Sequence, residues 1–129
     1  MILHSKIEGE GKPFVILHGF LGMLDNWKTL STEFAAAGFQ VHALDLRNHG
    51  NSDHHDSMTF EEMADDVIRY LDKMNIEKFT LMGHSMGGGT SLHFLRKNPN
   101  LKIAGLILHN PHIDLSPQTE FSPIARKLI

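Results

Sequence analysis

The stretch Phe79–Thr90, F-T-L-M-G-H-S-M-G-G-G-T, decides how this chain folds. An apolar run ending at Met82 reads as a strand, a helix-compatible segment opens at once behind the turn, and Ser85 stands between them. That is the sequence form of a nucleophile elbow. A serine there must take a strained backbone conformation so that its hydroxyl clears the sheet. Side chains two residues before and two after would crowd it, and both positions are glycine, Gly83 and Gly87. The helix that follows points its unpaired N–H groups and positive dipole end at Ser85, where negative charge would develop in an acyl transfer. G-x-S-x-G by itself is a weak pattern, because glycine and serine are common. The matching strand before it, the helix after it and two motifs upstream give it weight.

Working upstream, Phe14–Leu17 (F-V-I-L) is a continuous apolar run suited to a strand covered on both faces. It ends in His18–Gly22 (H-G-F-L-G), a tight turn able to expose its N–H groups. From Asp25 onward Trp27, Leu30 and Phe34 recur at helical spacing, with Gly38 as the stop, so an amphipathic helix is expected. Phe39–Leu44 gives a second core strand and runs into D-L-R-N-H-G-N-S, Asp45–Ser52, where Asp45, Arg47 and Ser52 are expected to brace the loop. Thr59 and Glu62 form a T-x-x-E capping box. Phe60, Met63, Ala64, Val67, Ile68, Leu71 and Met74 then trace one apolar helical face, read as core. Residues Ile2–Ile7 read as an edge strand, Lys78–Met82 as the strand before the elbow, Met86–Lys97 as the helix after it, and Ile103–Leu108 as a further buried-type strand. This alternation favours right-handed β-α-β crossovers, hence an α/β fold whose mostly parallel sheet carries helices on both faces. The three glycine-bearing loops all follow strands and converge on one rim, where such sheets keep their chemistry.

Composition narrows the partners. At 129 residues, 41% hydrophobic and 21% charged, one domain with a buried core is expected. A formal charge of −3 offers no footprint for nucleic acid or an anionic membrane. The chain has no cysteine, which removes disulfides, thiolate metal sites and a thiol nucleophile. Its start lacks a signal-peptide run and no segment reaches the ~20 apolar residues of a membrane span, so a soluble cytoplasmic protein is expected. Ten histidines invite a metal reading, above all D-H-H-D at Asp53–Asp56 and the His109, His112 pair. No H-E-x-x-H or comparable spacing occurs, and neither a metal nor a cofactor is expected.

With these motifs in order, the chain resembles the α/β-hydrolase superfamily from Ile2 to about Pro111. H-G-F-L-G corresponds to the family's oxyanion loop, D-L-R-N-H-G-N-S to its D-x-R-x-x-G-x-S loop, and G-H-S-M-G-G to its elbow. D-N-W at Asp25–Trp27, with R-N-H-G after the second core strand, looks most like the small bacterial carboxylesterases of the YbfF type. The resemblance implies that Ser85 is the nucleophile and that the N–H groups of Phe20 and Met86 form the oxyanion hole. It implies a serine hydrolase of small or medium carboxylic esters, working through an acyl-enzyme and without a cofactor. His18 and His84 become structural neighbours of the site.

The family orders its triad Ser, then Asp or Glu, then His, and no residue here matches the histidine. At the acid position the match is Asn110, which cannot act as a carboxylate; Asp114 lies close by, and His112 is a further candidate to reach Ser85. Residues 1–129 thus read as the N-terminal portion of one α/β-hydrolase domain, truncated after about the sixth strand. Core runs to about residue 111, and residues 112–129 begin a lid or tail. A chain lacking its base is expected to be incomplete as a catalyst. Its last strand, as an open edge, is expected to pair with another copy or with a complementing C-terminal half. Other readings stay open: a non-catalytic interaction module or pseudoenzyme that oligomerises through that edge, and an acyltransferase or lyase on the same fold.

Overall fold

A computed structural model describes residues 1–20 and 22–109. Five strands, β1 (Ser5–Glu8), β2 (Lys12–Leu17), β3 (Phe39–Leu44), β4 (Lys78–His84) and β5 (Lys102–His109), alternate with three helices, α1 (Lys28–Ala36), α2 (Phe60–Lys73) and α3 (Met86–Lys97). The strands form one sheet in the order β1-β3-β2-β4-β5. Only β1 is antiparallel, against β3; the other three pairings are parallel. The apolar run Phe14–Leu17 lies in the middle of the sheet, and all four of its side chains are buried, as a strand covered on both faces requires.

Each face has its own core. On one, Val15, Leu17, Leu44 and Leu81 pack with Phe60, Met63, Val67 and Leu71 of α2 and with Met86 and Phe94 of α3. On the other, Phe14, Ile16, Val41 and Met82 pack against Trp27, Leu30 and Phe34. Helices on both faces of a mostly parallel sheet follow from the alternation along the chain.

Three details differ from the sequence reading. The helix expected from Asp25 begins as a 3-10 turn over Leu24–Trp27 and becomes α-helical only at Lys28. Asn26 caps this turn: its side-chain oxygen accepts the N–H of the preceding Met23 at 2.7 Å. On α2, the Thr59 hydroxyl accepts the Glu62 N–H at 3.1 Å, but the Glu62 carboxylate takes Arg47 and the Ser57 hydroxyl, so the capping box is one-sided. The buried face of α2 also includes Asp66 and Tyr70, whereas Met74 is exposed. Polar type hid Asp66 and Tyr70 from the apolar pattern; both are buried because each has a partner, Arg47 for the carboxylate and His42 for the phenol.

Strand β5 is an edge among the described residues, and Leu106 and Ile107 on it remain 40% and 43% exposed. No helix among those residues is long and apolar enough to cross a membrane.

Candidate active site at the elbow

Ser85 takes φ 52° and ψ −114°, a conformation that side-chain-bearing residues rarely adopt, between the end of β4 and the start of α3. The two flanking glycines permit it. A Cβ on Gly83 would lie 2.5 Å from the Gly87 carbonyl oxygen and 2.6 Å from the Ser91 hydroxyl. A Cβ on Gly87 would lie 2.3 Å from the Leu17 oxygen and 2.5 Å from that of His18. Helix α3 therefore sits directly against the end of β2, which brings the elbow and the loop after β2 together. The turn is closed from the other side by β5, whose His109 carbonyl accepts the Ser85 N–H at 3.0 Å.

A pocket of about 410 Å³ opens at this rim, lined by Gly19, Phe20, Gly22, Asn26, Trp27, His84 and Ser85. Ser85 and Phe20 thus share one cavity. Met86, the third residue assigned to the site, is buried at the first position of α3, where backbone N–H groups have no partner within the helix. The arrangement combines a hydroxyl, the positive end of a helix and a turn bearing backbone donors, which is the equipment for stabilising an oxyanion next to an attacking oxygen.

The loop carrying Phe20 is tied down by His18. The Leu46 N–H donates to His18 Nε2 at 2.9 Å, so the ring proton sits on Nδ1, which donates to the Gly19 carbonyl at 2.8 Å. Burial drives the His18 pKa down to about 4, with the nearby His49 adding to the effect, and the neutral ring is what this bonding needs. His18 consequently positions the loop and is no proton carrier at neutral pH. The loop after β3 is braced in turn. Arg47 meets the fully buried Asp66 through Nε at 2.6 Å and Nη2 at 2.9 Å, with Glu62 on Nη1, and the Asp66 contact raises the guanidinium pKa. Asp45 Oδ2 accepts from His4 Nδ1 at 2.9 Å and from the Asn51 N–H at 3.0 Å, while the Ser52 hydroxyl donates to the Asp45 carbonyl at 2.5 Å. Each of the three loop residues is spent on structure.

Among the described residues no group of three or more His, Asp or Glu could hold a metal ion. Asp53, His54, His55 and Asp56 are exposed on the loop leading to α2. Asn110, His112 and Asp114, the positions weighed for acid and base, lie outside the described residues.

The profile of the alpha/beta hydrolase fold matches residues 12–128. The chain belongs to the α/β-hydrolase fold family. Within that family it is 38% identical over 108 residues to the sn-1-specific diacylglycerol lipase ABHD11 of Xenopus laevis, across 83% of this chain and 33% of the lipase. To ethanol acetyltransferase 1 of Eremothecium cymbalariae it is 33% identical over 119 residues, covering 89% of this chain and 32% of that enzyme. The solved structure of a marine microorganism esterase superposes with a TM-score of 0.79 at 41% identity, over 83% of this chain and 41% of the esterase. The chain spans about a third of the length of the curated relatives it matches.

Sequence reasoning missed three residues of this α/β-hydrolase site. Trp27 and Asn26 were read as part of a helix, yet they line the pocket. His109, one residue past the strand expected at Ile103–Leu108, is the last residue of β5 and the register partner of His84. A parallel pairing of the last two strands, aligned on their apolar runs, would have placed the two histidines side by side.

Proposed function

We propose that Ser85 is the nucleophile of a carboxylic-ester hydrolase. The observation that carries this is the backbone of Ser85: a non-glycine residue is held at positive φ between strand and helix, in a pocket shared with the loop after β2. In this reading Ser85 Oγ attacks the ester carbonyl and the Phe20 and Met86 N–H groups receive the oxyanion. The alcohol then leaves with a proton, and water releases the acid from the acyl-enzyme. The family resemblance and an esterase and a lipase among the relatives support hydrolysis; the acetyltransferase keeps transfer to an alcohol as the second reading.

His18 is committed to its loop, and His84 and His109 are paired through their Nδ1 atoms at 2.7 Å, so the general base and its orienting acid are assigned to residues beyond His109 or to another chain. The open edge of β5 is where that further polypeptide would add its strand.

The test is hydrolysis of p-nitrophenyl butyrate by the purified protein beside Ser85→Ala, with and without an added alcohol. Turnover that disappears in the variant would place the base within this chain. An alkyl ester product in place of the free acid would favour the transferase. Activity equal in parent and variant is expected of a half-built site; if it stays equal once a complementing C-terminal half of a relative is added, the assignment of Ser85 falls and an interaction module is left. Light scattering checks the edge: association is expected, and a monodisperse monomer with a cooperative melt would contradict it.

A further inference from the structure

We propose that the amino-terminal ends of β2, β4 and β5 form a binding site for a medium-chain carboxylate, an alkyl chain ending in one anionic head. Three lysines stand in a row there. Lys78 and Lys102 are register partners. Phe14 lies opposite Thr80, so Lys12, two residues earlier on β2, falls opposite Lys78. Neighbouring strands are about 4.8 Å apart and residues in register share a face, so three ammonium groups are gathered along one line. All three residues are exposed, and among the described residues no carboxylate pairs with any of them, although Lys6 and Lys97 each have one. Like charges set side by side without a counter-charge destabilise a sheet. An anion placed between them turns that repulsion into attraction.

The row borders a cavity of about 600 Å³, whose lining sets Lys12 and Lys78 beside Pro13, Phe79, Ile103 and Ala104. Its size is that of a small-molecule site. Two features then select the ligand. The cations call for an anion and the apolar walls for a hydrocarbon body, so the ligand is an anionic amphiphile. A formal charge of −3 over the chain opposes a long polyanion, which confines the partner to one small headgroup. A carboxylate has two oxygens and accepts from two ammonium groups at once, which suits the gap between Lys12 and Lys78. The site lies at the opposite end of β4 from Ser85, 7 strand residues and roughly 20 Å away. It needs nothing from the reactivity proposed there.

Isothermal titration of the full chain with sodium octanoate, at neutral pH and low salt, is expected to show one saturable site. Sodium acetate and sodium phosphate offer charge without chain, and 1-octanol offers chain without charge; each should bind about tenfold more weakly or worse. Added salt should weaken octanoate binding. Lys78→Gln should weaken it about tenfold through loss of a charge-assisted contact. Lys28→Gln, at the start of α1 next to Trp27 and so at the other rim, should leave it unchanged. Equal binding by parent and Lys78→Gln would place octanoate elsewhere, in the Ser85 pocket or along the β5 edge, and overturn the site. So would phosphate or octanol binding as tightly as octanoate, or octanoate failing to bind at all. Should Lys78→Gln fail to fold, Lys12→Gln reports on the same row and must show the same loss.

Discussion

Replacing Ser85 with glycine is expected to make the protein more stable. At φ 52° and ψ −114° the serine holds a conformation that costs a side-chain-bearing residue on the order of 1–3 kcal/mol. Glycine removes that cost and adds about 0.5–1 kcal/mol of chain entropy to the unfolded state. The net gain is about 0.5–2 kcal/mol, or a rise in melting temperature of roughly 2–8 °C for a chain of this size. Ser85→Ala is the matched control. The serine hydroxyl makes no capping bond to α3, so alanine keeps the strain and removes only the hydroxyl. Thermal unfolding of all three proteins by circular dichroism at 222 nm measures the difference. Ser85→Gly should melt highest, with Ser85→Ala near the parent. A glycine variant that melts at or below the alanine variant would refute the claim that the elbow stores strain.

Gly87→Ala should abolish folding or cost about 3 kcal/mol or more, because its Cβ would meet two backbone oxygens that cannot turn aside. Gly105→Ala, whose Cβ would lie at an ordinary 3.5 Å from Thr80, should be neutral; urea midpoints compare the two. Acid should destabilise the fold. His18 titrates near 4 when folded and near 6.5 when unfolded, so the unfolded chain takes up the proton first. Its contribution is complete above pH 6.5 and lost as pH falls toward 4, about 3 kcal/mol over that window. His42 and His49, also lowered by burial, act in the same direction, and urea midpoints from pH 7.5 to 4.5 should fall accordingly. Asp66→Ala should cost about 3 kcal/mol by the same assay, since it leaves the Arg47 Nε and Nη2 groups facing an empty site, with Glu62 and the Ser57 carbonyl holding only Nη1.

Much of this architecture could be read from residue type because strand and helix alternate with clean periodicity. Phe14–Leu17 is apolar without a break, as a strand buried on both sides requires, Phe39–Leu44 is apolar apart from Gln40 and His42, and the loops after both carry the glycines that turns need. Ser85 was legible for the same reason: Gly83 and Gly87 are unexplained in strand and helix unless something presses against them. What escaped the sequence depends on partners far away in the chain. Asp66 looks like a surface residue of α2 until Arg47 is seen beside it, and the match of His84 with His109 needs the register of two strands. The 3-10 geometry of the first turn, capped by the Asn26 side chain, is a local feature that periodicity does not register. The Phe20 and Met86 donors were placed by analogy with the family; the fold contributes the shared pocket and the helix end.

The strand order β1-β3-β2-β4-β5 bears on how the molecule is made. As the chain leaves the ribosome, β2 is followed by β3, which docks on one side of it and gathers in the waiting β1. Then β4 docks on the other side, and β5 docks on β4. Every strand after β2 thus finds a neighbour already synthesised, and the sheet widens outward from its own centre. The nascent protein can bury F-V-I-L early and add each later segment to a finished edge, so translation itself shields this continuous apolar run.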